Sequence, residues 1–366
     1  MNQSQWPLWL PLRKDLQNLI AYGAPQVDAK ARLNTNENPY APSADLVAAI
    51  AHEIENVAAT LNRYPDRDAK KLRGSLANYL NELSGTSLGS ENIWAANGSN
   101  EIIQSLFLAF GANGALGFTP SYSMHSLIAR VTQTKWKAGP RSADFTIDMS
   151  AARTQILTEN PSLVFVTTPN NPTGTVISIP EIVELAKLCA QVGALLVIDE
   201  AYAEFSSEPS ATTLIAEFPN LIAIRTMSKA FAFAGARIGY MAAHPMVVEA
   251  LQLVRLPYHL SALTQSAGLV ALEHSSSLLE RVSALRIDRE LLASQLRAMG
   301  VEVIPSSANF LLFSVPNSER IWSHLLSLDV LIRDVGLSGY LRVTIGTPEE
   351  NQKFLDALRD SIGGSK

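Results

Sequence analysis

One lysine of the chain has surroundings suited to covalent chemistry. Lys229 lies in SKAFAFAGAR (228–237), where a serine precedes it and no charged residue follows until Arg237. An apolar environment disfavours the ammonium form, so it lowers a lysine pKa from about 10.4 toward the range in which a free amine attacks a carbonyl. A surface lysine that simply follows a strand is the alternative, and this stretch alone does not decide between the two.

An aspartate follows another apolar run. Asp199 ends the run in ALLVIDEAY (194–202), where a carboxylate is costly to desolvate unless a cation meets it. A protonated pyridine nitrogen would be such a cation, whereas a helix cap or an ion pair with a neighbouring arginine is the ordinary alternative. Tyr202 could turn its phenol toward the same cavity.

Two more polar segments follow apolar runs. In TTPNNPTGTV (167–176), the turn residues around Asn171 fix a side-chain amide beyond the predicted sheet, although NPTG alone is simply a good turn. In NGSNEII (97–103), Ser99 and Asn100 stand at a predicted helix start, where free N–H groups and the helix dipole attract an anion such as phosphate. Ordinary helix capping is the alternative there.

The elements that must position these groups form an α/β pattern. Apolar runs without polar alternation predict buried strands at 92–96, 115–118, 163–168, 194–198 and 221–226, with helices between them. We expect a mostly parallel, helix-flanked sheet, whose strands bring their carboxyl ends to one edge. The predicted organisation is an N-terminal arm that includes part of the small domain (1–44), a large domain (45–255) and a smaller α+β domain (256–366).

Composition excludes several other functions. The chain has 366 residues and a net charge of −5, without a basic cluster, so nucleic acid is a poor partner. The six histidines lack metal-ligand spacing, and the familiar GxGxxG, P-loop and GxSxG motifs are missing from the sequence. The single cysteine, Cys189, lies in an apolar run that predicts a buried side chain in a reducing compartment. No apolar stretch is long enough to span a bilayer, so we expect a cytoplasmic protein.

The four segments together supply an amine, a carboxylate, an amide, an anion cradle and, with Arg237, a guanidinium. All are predicted at the carboxyl ends of strands in one sheet. Pyridoxal 5′-phosphate needs that set, because it carries an aldehyde, a pyridine ring and a phosphate. The sequence therefore predicts this cofactor and no metal.

The same segments, with LNTNENPYAPS (33–43) and RYPD (63–66), resemble in order and spacing the fold-type I aminotransferases of the aspartate aminotransferase superfamily. Within its class-II subgroup, LNTNENPYAPS, RYPD, VLIRDVG (330–336) and YLRVTIGTPEEN (340–351) are most similar to the histidinol-phosphate aminotransferase family. The resemblance implies transfer of an amino group between L-histidinol phosphate and 2-oxoglutarate, in histidine biosynthesis. An aromatic amino-acid aminotransferase, a threonine-phosphate decarboxylase and a non-enzymatic regulator on the same fold are the alternatives.

The resemblance also implies roles for individual residues. Lys229 would bind the cofactor aldehyde covalently and carry the transferred proton, while Asp199 would pair with the pyridine nitrogen. Tyr202 and Asn171 would bond the ring hydroxyl, and Tyr122 would stack on the ring. The implied phosphate ligands are Ser99, Asn100, Thr226, Ser228, Arg237 and Tyr64 of the partner subunit, which makes a homodimer with shared sites part of the prediction.

Substrate recognition rests on fewer residues. Arg342 and Arg333 match the family's pair for anionic substrate groups, which could instead be ordinary surface charges, and Tyr22 matches a tyrosine near the substrate phosphate. Tyr258 is expected to wall the imidazole pocket. The stretch that follows it departs from the family, and we expect His259 to be structural rather than a substrate ligand.

Overall fold

The computed structural model of the protein describes residues 6–7, 9–19, 21 and 23–363. Helices over these residues, in chain order, are α1 (Ala44–Ala58), α2 (Lys70–Ser84), α3 (Ser99–Phe110), α4 (Met124–Val131), α5 (Met149–Glu159), α6 (Ile179–Gln191), α7 (Pro245–Leu251), α8 (Ala262–Glu273), α9 (Ser275–Ala298), α10 (Ser318–Ser327) and α11 (Pro348–Gly363). Strands are β1 (Ala31–Arg32), β2 (Ile93–Ala96), β3 (Ala115–Thr119), β4 (Trp136–Pro140), β5 (Leu163–Thr167), β6 (Leu195–Asp199), β7 (Leu221–Thr226), β8 (Gly239–Ala243), β9 (Glu302–Val303), β10 (Phe310–Ser314), β11 (Val330–Leu331), β12 (Arg333–Asp334) and β13 (Tyr340–Thr344).

A seven-stranded sheet forms the centre of the fold, in the order β2-β8-β7-β6-β5-β3-β4. Strand β8 runs antiparallel to β2 and β7, and the other pairings are parallel. Strands β5 and β7 are buried along their whole length, because helices cover both faces of the sheet. The predicted mostly parallel, helix-flanked sheet is confirmed.

Two strands of this seven-stranded sheet were not predicted from the sequence. Strand β4 lies at the edge of the sheet and carries the exposed Lys137, so it lacks the continuous apolar pattern of a buried strand. Strand β8 (GYMAA) begins with a glycine and directly follows the segment around Arg237, which resembles a loop in sequence. The five strands predicted for this sheet are observed to within a residue or two.

A smaller sheet lies in the C-terminal part of the chain. It has four antiparallel strands in the order β12-β13-β10-β9. The segment before α1 joins this part, because β1 pairs in parallel with β11. This pairing supports placing part of residues 1–44 with the small domain, while the boundaries at 44 and 255 stay predictions.

The described part of the N-terminal arm lies against its own chain. Arg13 donates to the carbonyl of Val131 at 3.0 Å, and Arg130 donates to the carbonyl of Asp15 at 2.6 Å, which holds the arm at the end of α4. Trp9 stays 79% exposed.

Two sequence expectations about burial and length can be compared directly with the structure. Cys189 is fully buried in α6, as its apolar surroundings predicted, and burial raises the pKa of its thiol to about 12. Among the described residues, the helices are too short or too polar to cross a membrane.

Candidate active site

A cavity of about 440 Å³ opens at the carboxyl ends of the central parallel strands. Most of the predicted site residues line it, although they come from segments far apart in the sequence. They are Ser99, Asn100, Tyr122, Asn171, Asp199, Tyr202, Thr226, Ser228, Lys229, Arg237, Arg333 and Arg342. The strand ends bring them together, since the carboxyl ends of parallel strands lie along one edge of a sheet.

Lys229 reaches the cavity from the turn that follows β7. Its Nζ donates a hydrogen bond to the carbonyl oxygen of Thr35 at 2.9 Å. Burial, followed by the nearby charge of Arg342, lowers the pKa of Lys229 to about 8, and the carboxylate of Glu37 partly opposes this shift. A substantial fraction of this amine is therefore neutral at mildly alkaline pH.

Asp199 ends β6 on the floor of the same cavity and is 2% exposed. One carboxylate oxygen lies 3.0 Å from Nε2 of His125, and the other accepts the main-chain N–H of Ala201 at 3.2 Å. These contacts hold the carboxylate in a single orientation.

Sequence reasoning missed His125. It is buried in α4, 74 residues before Asp199 in the chain, and nothing local marks it as a partner of that carboxylate. Its position three residues after Tyr122, in the first turn of α4, was the available signal. Its ring also meets the Tyr122 ring edge-on, at 5.5 Å between centroids.

The phenol of Tyr202 lies among side-chain amides. Nδ2 of Asn36 donates to its oxygen at 2.9 Å, and Nδ2 of Asn171 does so at 3.5 Å. The other end of the Asn171 amide accepts a bond from Arg342 at 2.5 Å. The predicted neighbourhood of Tyr202 and Asn171 is observed, whereas Asn36 was not foreseen as part of the site.

One end of the cavity is suited to bind an anion. Ser99 and Asn100 begin α3. The first N–H groups of any α-helix have no hydrogen-bond acceptor within that helix, so they are available to an anion. Thr226 and Ser228 place two hydroxyl oxygens 3.0 Å apart beside them, and the Arg237 guanidinium lines the same region. Helix dipole, hydroxyl donors and guanidinium together favour a group such as phosphate.

Two arginines from the small sheet complete the other side. Arg333 on β12 and Arg342 on β13 are directly paired in register. Arg342 donates to the carbonyl of Asn34 at 2.8 Å, and its guanidinium lies 5.1 Å from the centre of the Phe310 ring. Both line the cavity, so two positive charges face any anionic substrate there.

Two predicted tyrosines, Tyr64 and Tyr258, do not line this cavity within the described chain. Tyr64 is 79% exposed and stacks on Tyr258, with ring centroids 4.5 Å apart. Tyr22 lies outside the described residues. The roles predicted for these three residues stay predictions.

His259, next to Tyr258, makes a structural contact. Its Nε2 bonds the carbonyl of Ala95 at 2.9 Å, so it ties its segment to β2. This contact agrees with the expectation that His259 is a structural residue.

Comparison with known proteins places the chain in a family. Residues 28–358 match the model described as aminotransferase class I and II. The histidinol-phosphate aminotransferases of Thermobifida fusca and Corynebacterium glutamicum (strain R) are 53% and 51% identical, covering 97% and 96% of this chain and 96% and 97% of their own lengths. The structure of the Sinorhizobium meliloti histidinol-phosphate aminotransferase, in complex with pyridoxal-5′-phosphate, superposes with a TM-score of 0.85 at 24% identity, over 97% of this chain and 98% of that one. The chain therefore belongs to the aminotransferase class I and II family.

Proposed function

We propose that this protein is a histidinol-phosphate aminotransferase that uses pyridoxal 5′-phosphate. It would move an amino group reversibly between L-histidinol phosphate and 2-oxoglutarate, in histidine biosynthesis. The observation that carries the proposal is the shared cavity of Lys229, Asp199 and the anion-binding end of α3. The choice of substrate is supported by relatives named histidinol-phosphate aminotransferase, which share about half of their residues with this chain over nearly its whole length.

The donor set of the cavity fits this cofactor. Lys229 offers an amine whose pKa is lowered to about 8, and the buried carboxylate of Asp199 faces the same space. The start of α3 with Arg237 would hold the phosphate, and Tyr122 would pack on the ring. When bound, pyridoxal phosphate supplies a carbonyl that links to amines and a ring that accepts the electron pair of the substrate Cα–H bond.

Asp199 and Lys229 would do the proton chemistry. The Asp199 carboxylate would accept the N–H of a protonated pyridine ring and keep the proton there, worth about 4 kcal/mol for two charges 4 Å apart at an effective dielectric of 20. His125 keeps that carboxylate turned toward the cavity. Nζ of Lys229 would take the proton from the substrate carbon and return it, because a near-neutral pKa lets one amine act as base and then as acid.

Arg333 and Arg342 would serve both half-reactions. Glutamate carries a side-chain carboxylate and histidinol phosphate carries a phosphate, so both substrates present an anion far from the amino group. A guanidinium pair binds either anion through paired N–H donors. One pair of arginines therefore suffices for two substrates that differ in shape.

The protein would act as a homodimer in the cytoplasm. Tyr64 and Tyr258 form an exposed aromatic pair in the single chain, which favours burial against a second copy. In that dimer, Tyr64 would contribute to the phosphate end of the partner's site.

The test is a substrate panel on protein loaded with pyridoxal phosphate. We expect visible cofactor absorbance that borohydride removes. Reduction fixes the cofactor to the amine that holds it, and this covalent label should be recovered on the peptide that contains Lys229. With 2-oxoglutarate as acceptor, kcat/KM should be larger for L-histidinol phosphate than for phenylalanine. A label on another lysine would contradict the assignment of Lys229, and a larger kcat/KM for phenylalanine would make the protein an aromatic amino-acid aminotransferase. Release of carbon dioxide from threonine phosphate would instead indicate a decarboxylase.

A further inference from the structure

Three consecutive residues before α1 contact three functional groups of the cavity. The main-chain carbonyl of Asn34 accepts from Arg342 at 2.8 Å, and that of Thr35 accepts from Lys229 at 2.9 Å. The third contact is different, because the side chain of Asn36 donates to the phenol of Tyr202 at 2.9 Å. Main-chain contacts are open to any residue type, whereas the contact of Asn36 depends on its amide.

The Asn36 amide is held in one orientation by the small sheet. Its Oδ1 accepts the hydroxyl of Thr344 at 3.0 Å, and its own N–H donates to the same hydroxyl at 3.0 Å. Its carbonyl accepts from Asn309 at 3.1 Å. Asn36 is 1% exposed and has a φ of 55°, a left-handed conformation that asparagine tolerates better than most residues. With Oδ1 committed to Thr344, Nδ2 must face Tyr202.

The donor from Asn36 changes what the phenol can do. A hydroxyl whose oxygen accepts an N–H bond becomes a stronger donor through its own hydrogen, since neighbouring hydrogen bonds polarise one another. We propose that Asn36 is a positioning residue that orients and polarises the Tyr202 phenol toward the ring hydroxyl of the bound cofactor, and that Thr344 sets the orientation of Asn36. This inference rests on the proposed use of pyridoxal phosphate.

The experiment is a pH titration of the visible absorbance of the cofactor-loaded protein. In Asn36→Ala the Tyr202 phenol is a weaker donor and stabilises the deprotonated ring oxygen of the cofactor less. The midpoint of the absorbance titration should therefore rise by about 0.5 pH unit, the shift expected from the loss of one ordinary hydrogen bond. Asn36→Asp should raise it further, because its carboxylate would draw the phenol hydrogen to itself. Tyr202→Phe should also raise the midpoint, and adding Asn36→Ala to Tyr202→Phe should cause no further rise, since the residue through which Asn36 acts is gone.

Two further variants separate positioning from stability. Thr344→Val should shift the midpoint in the same direction as Asn36→Ala, and Thr344→Ser should restore it, which keeps the test decisive if Asn36→Ala does not fold. Asn351→Ala is the matched control, because Asn351 is a buried asparagine of the small domain that bonds Gly346. It should lower the melting temperature without moving the midpoint.

An unchanged midpoint in both Asn36→Ala and Thr344→Val would overturn the inference alone. A shift by Asn36→Ala that persists in full on the Tyr202→Phe background would also overturn it. Absence of cofactor absorbance in the unaltered protein would overturn the proposed function and this inference with it, so the two failures are distinguishable.

Discussion

At the scale of single residues, the site works by placing ionisable groups where water solvates them poorly. Lys229 is the clearest case, because burial and the charge of Arg342 both disfavour its ammonium form. Glu37 acts in the opposite direction and keeps the pKa from falling further. The balance leaves an amine near its midpoint at mildly alkaline pH, where it can gain or lose a proton readily.

The pKa of Lys229 predicts how fast the cofactor-free protein captures pyridoxal phosphate covalently. Only the neutral amine attacks, so the rate should rise about tenfold per pH unit and then level off near pH 8. An ordinary lysine would still be gaining rate toward pH 10.5, the unshifted value. Stopped-flow absorbance against pH measures this directly.

Glu37→Gln is the comparison variant. The ionisation of the cofactor also changes the capture rate with pH, but it does so equally in both proteins. A difference between the two pH profiles therefore reports on the pKa of Lys229. Removing the carboxylate that raises the pKa of Lys229 should move the plateau to lower pH. A plateau above pH 10 in the unaltered protein, or a plateau that moves upward in Glu37→Gln, would contradict the assigned electrostatics.

At the scale of elements, the anion-binding end depends on how closely α3 approaches β8. A Cβ on Gly239 would collide with the main chain of Gly98 and Ser99, at the point where α3 begins. Strand β8 therefore supports the helix start that we propose binds the cofactor phosphate. This contact joins residues 141 positions apart, so it was not apparent from either segment alone.

Gly239→Ala should loosen the grip on pyridoxal phosphate. Because the clash is with main chain, α3 must shift, and an overpacking cost of about 1–3 kcal/mol corresponds to a roughly 5-fold to 150-fold increase in the dissociation constant. Fluorescence titration of the cofactor-free protein measures the constant.

Gly74→Ala is the matched control for this variant. Gly74 lies within α2, and a Cβ there would meet no atom within 4 Å, so alanine should leave cofactor binding unchanged and raise stability by about 0.5–1 kcal/mol. Equal cofactor affinity in Gly239→Ala and the unaltered protein would show that the start of α3 does not hold the phosphate.

At the scale of the whole molecule, the site is assembled from both sheets and from the segment before α1. Arg342 comes from β13, Lys229 follows β7, and residues 34–36 lie between them. A relative movement of the small sheet would therefore change the surroundings of Lys229 and Tyr202 together. The proposed dimer would add Tyr64 to the same site.

Subunit mixing tests the shared site. Lys229→Ala should be inactive, and Tyr64→Ala should lose cofactor readily. In a two-fold symmetric mixed dimer, one of the two sites combines an intact Lys229 with an intact Tyr64. Random pairing makes about half of the dimers mixed, so refolding the two variants together should restore up to about a quarter of normal activity. Activity of the mixture is compared with that of each variant refolded alone. No gain on mixing, in preparations shown to be mixed dimers, would remove Tyr64 from the partner's site.

The sequence by itself determined five of the seven strands of the central sheet, the cofactor prediction and most of the residues that line the cavity. Uninterrupted apolar runs identified five central strands. Parallel strands end along one edge of a sheet, so the polar residues at their carboxyl ends had to lie close together, as Asp199, Asn171 and Lys229 do.

Only the tertiary structure decided which groups hold those residues in place. His125 reaches Asp199 across 74 residues, Asn36 reaches Tyr202 across 166, and Lys229 is held by a main-chain carbonyl that every residue type possesses. Such contacts leave no local pattern in the sequence. Hydropathy and residue spacing indicate only the helix or strand to which a residue belongs. The neighbours of a residue are decided by how the elements pack.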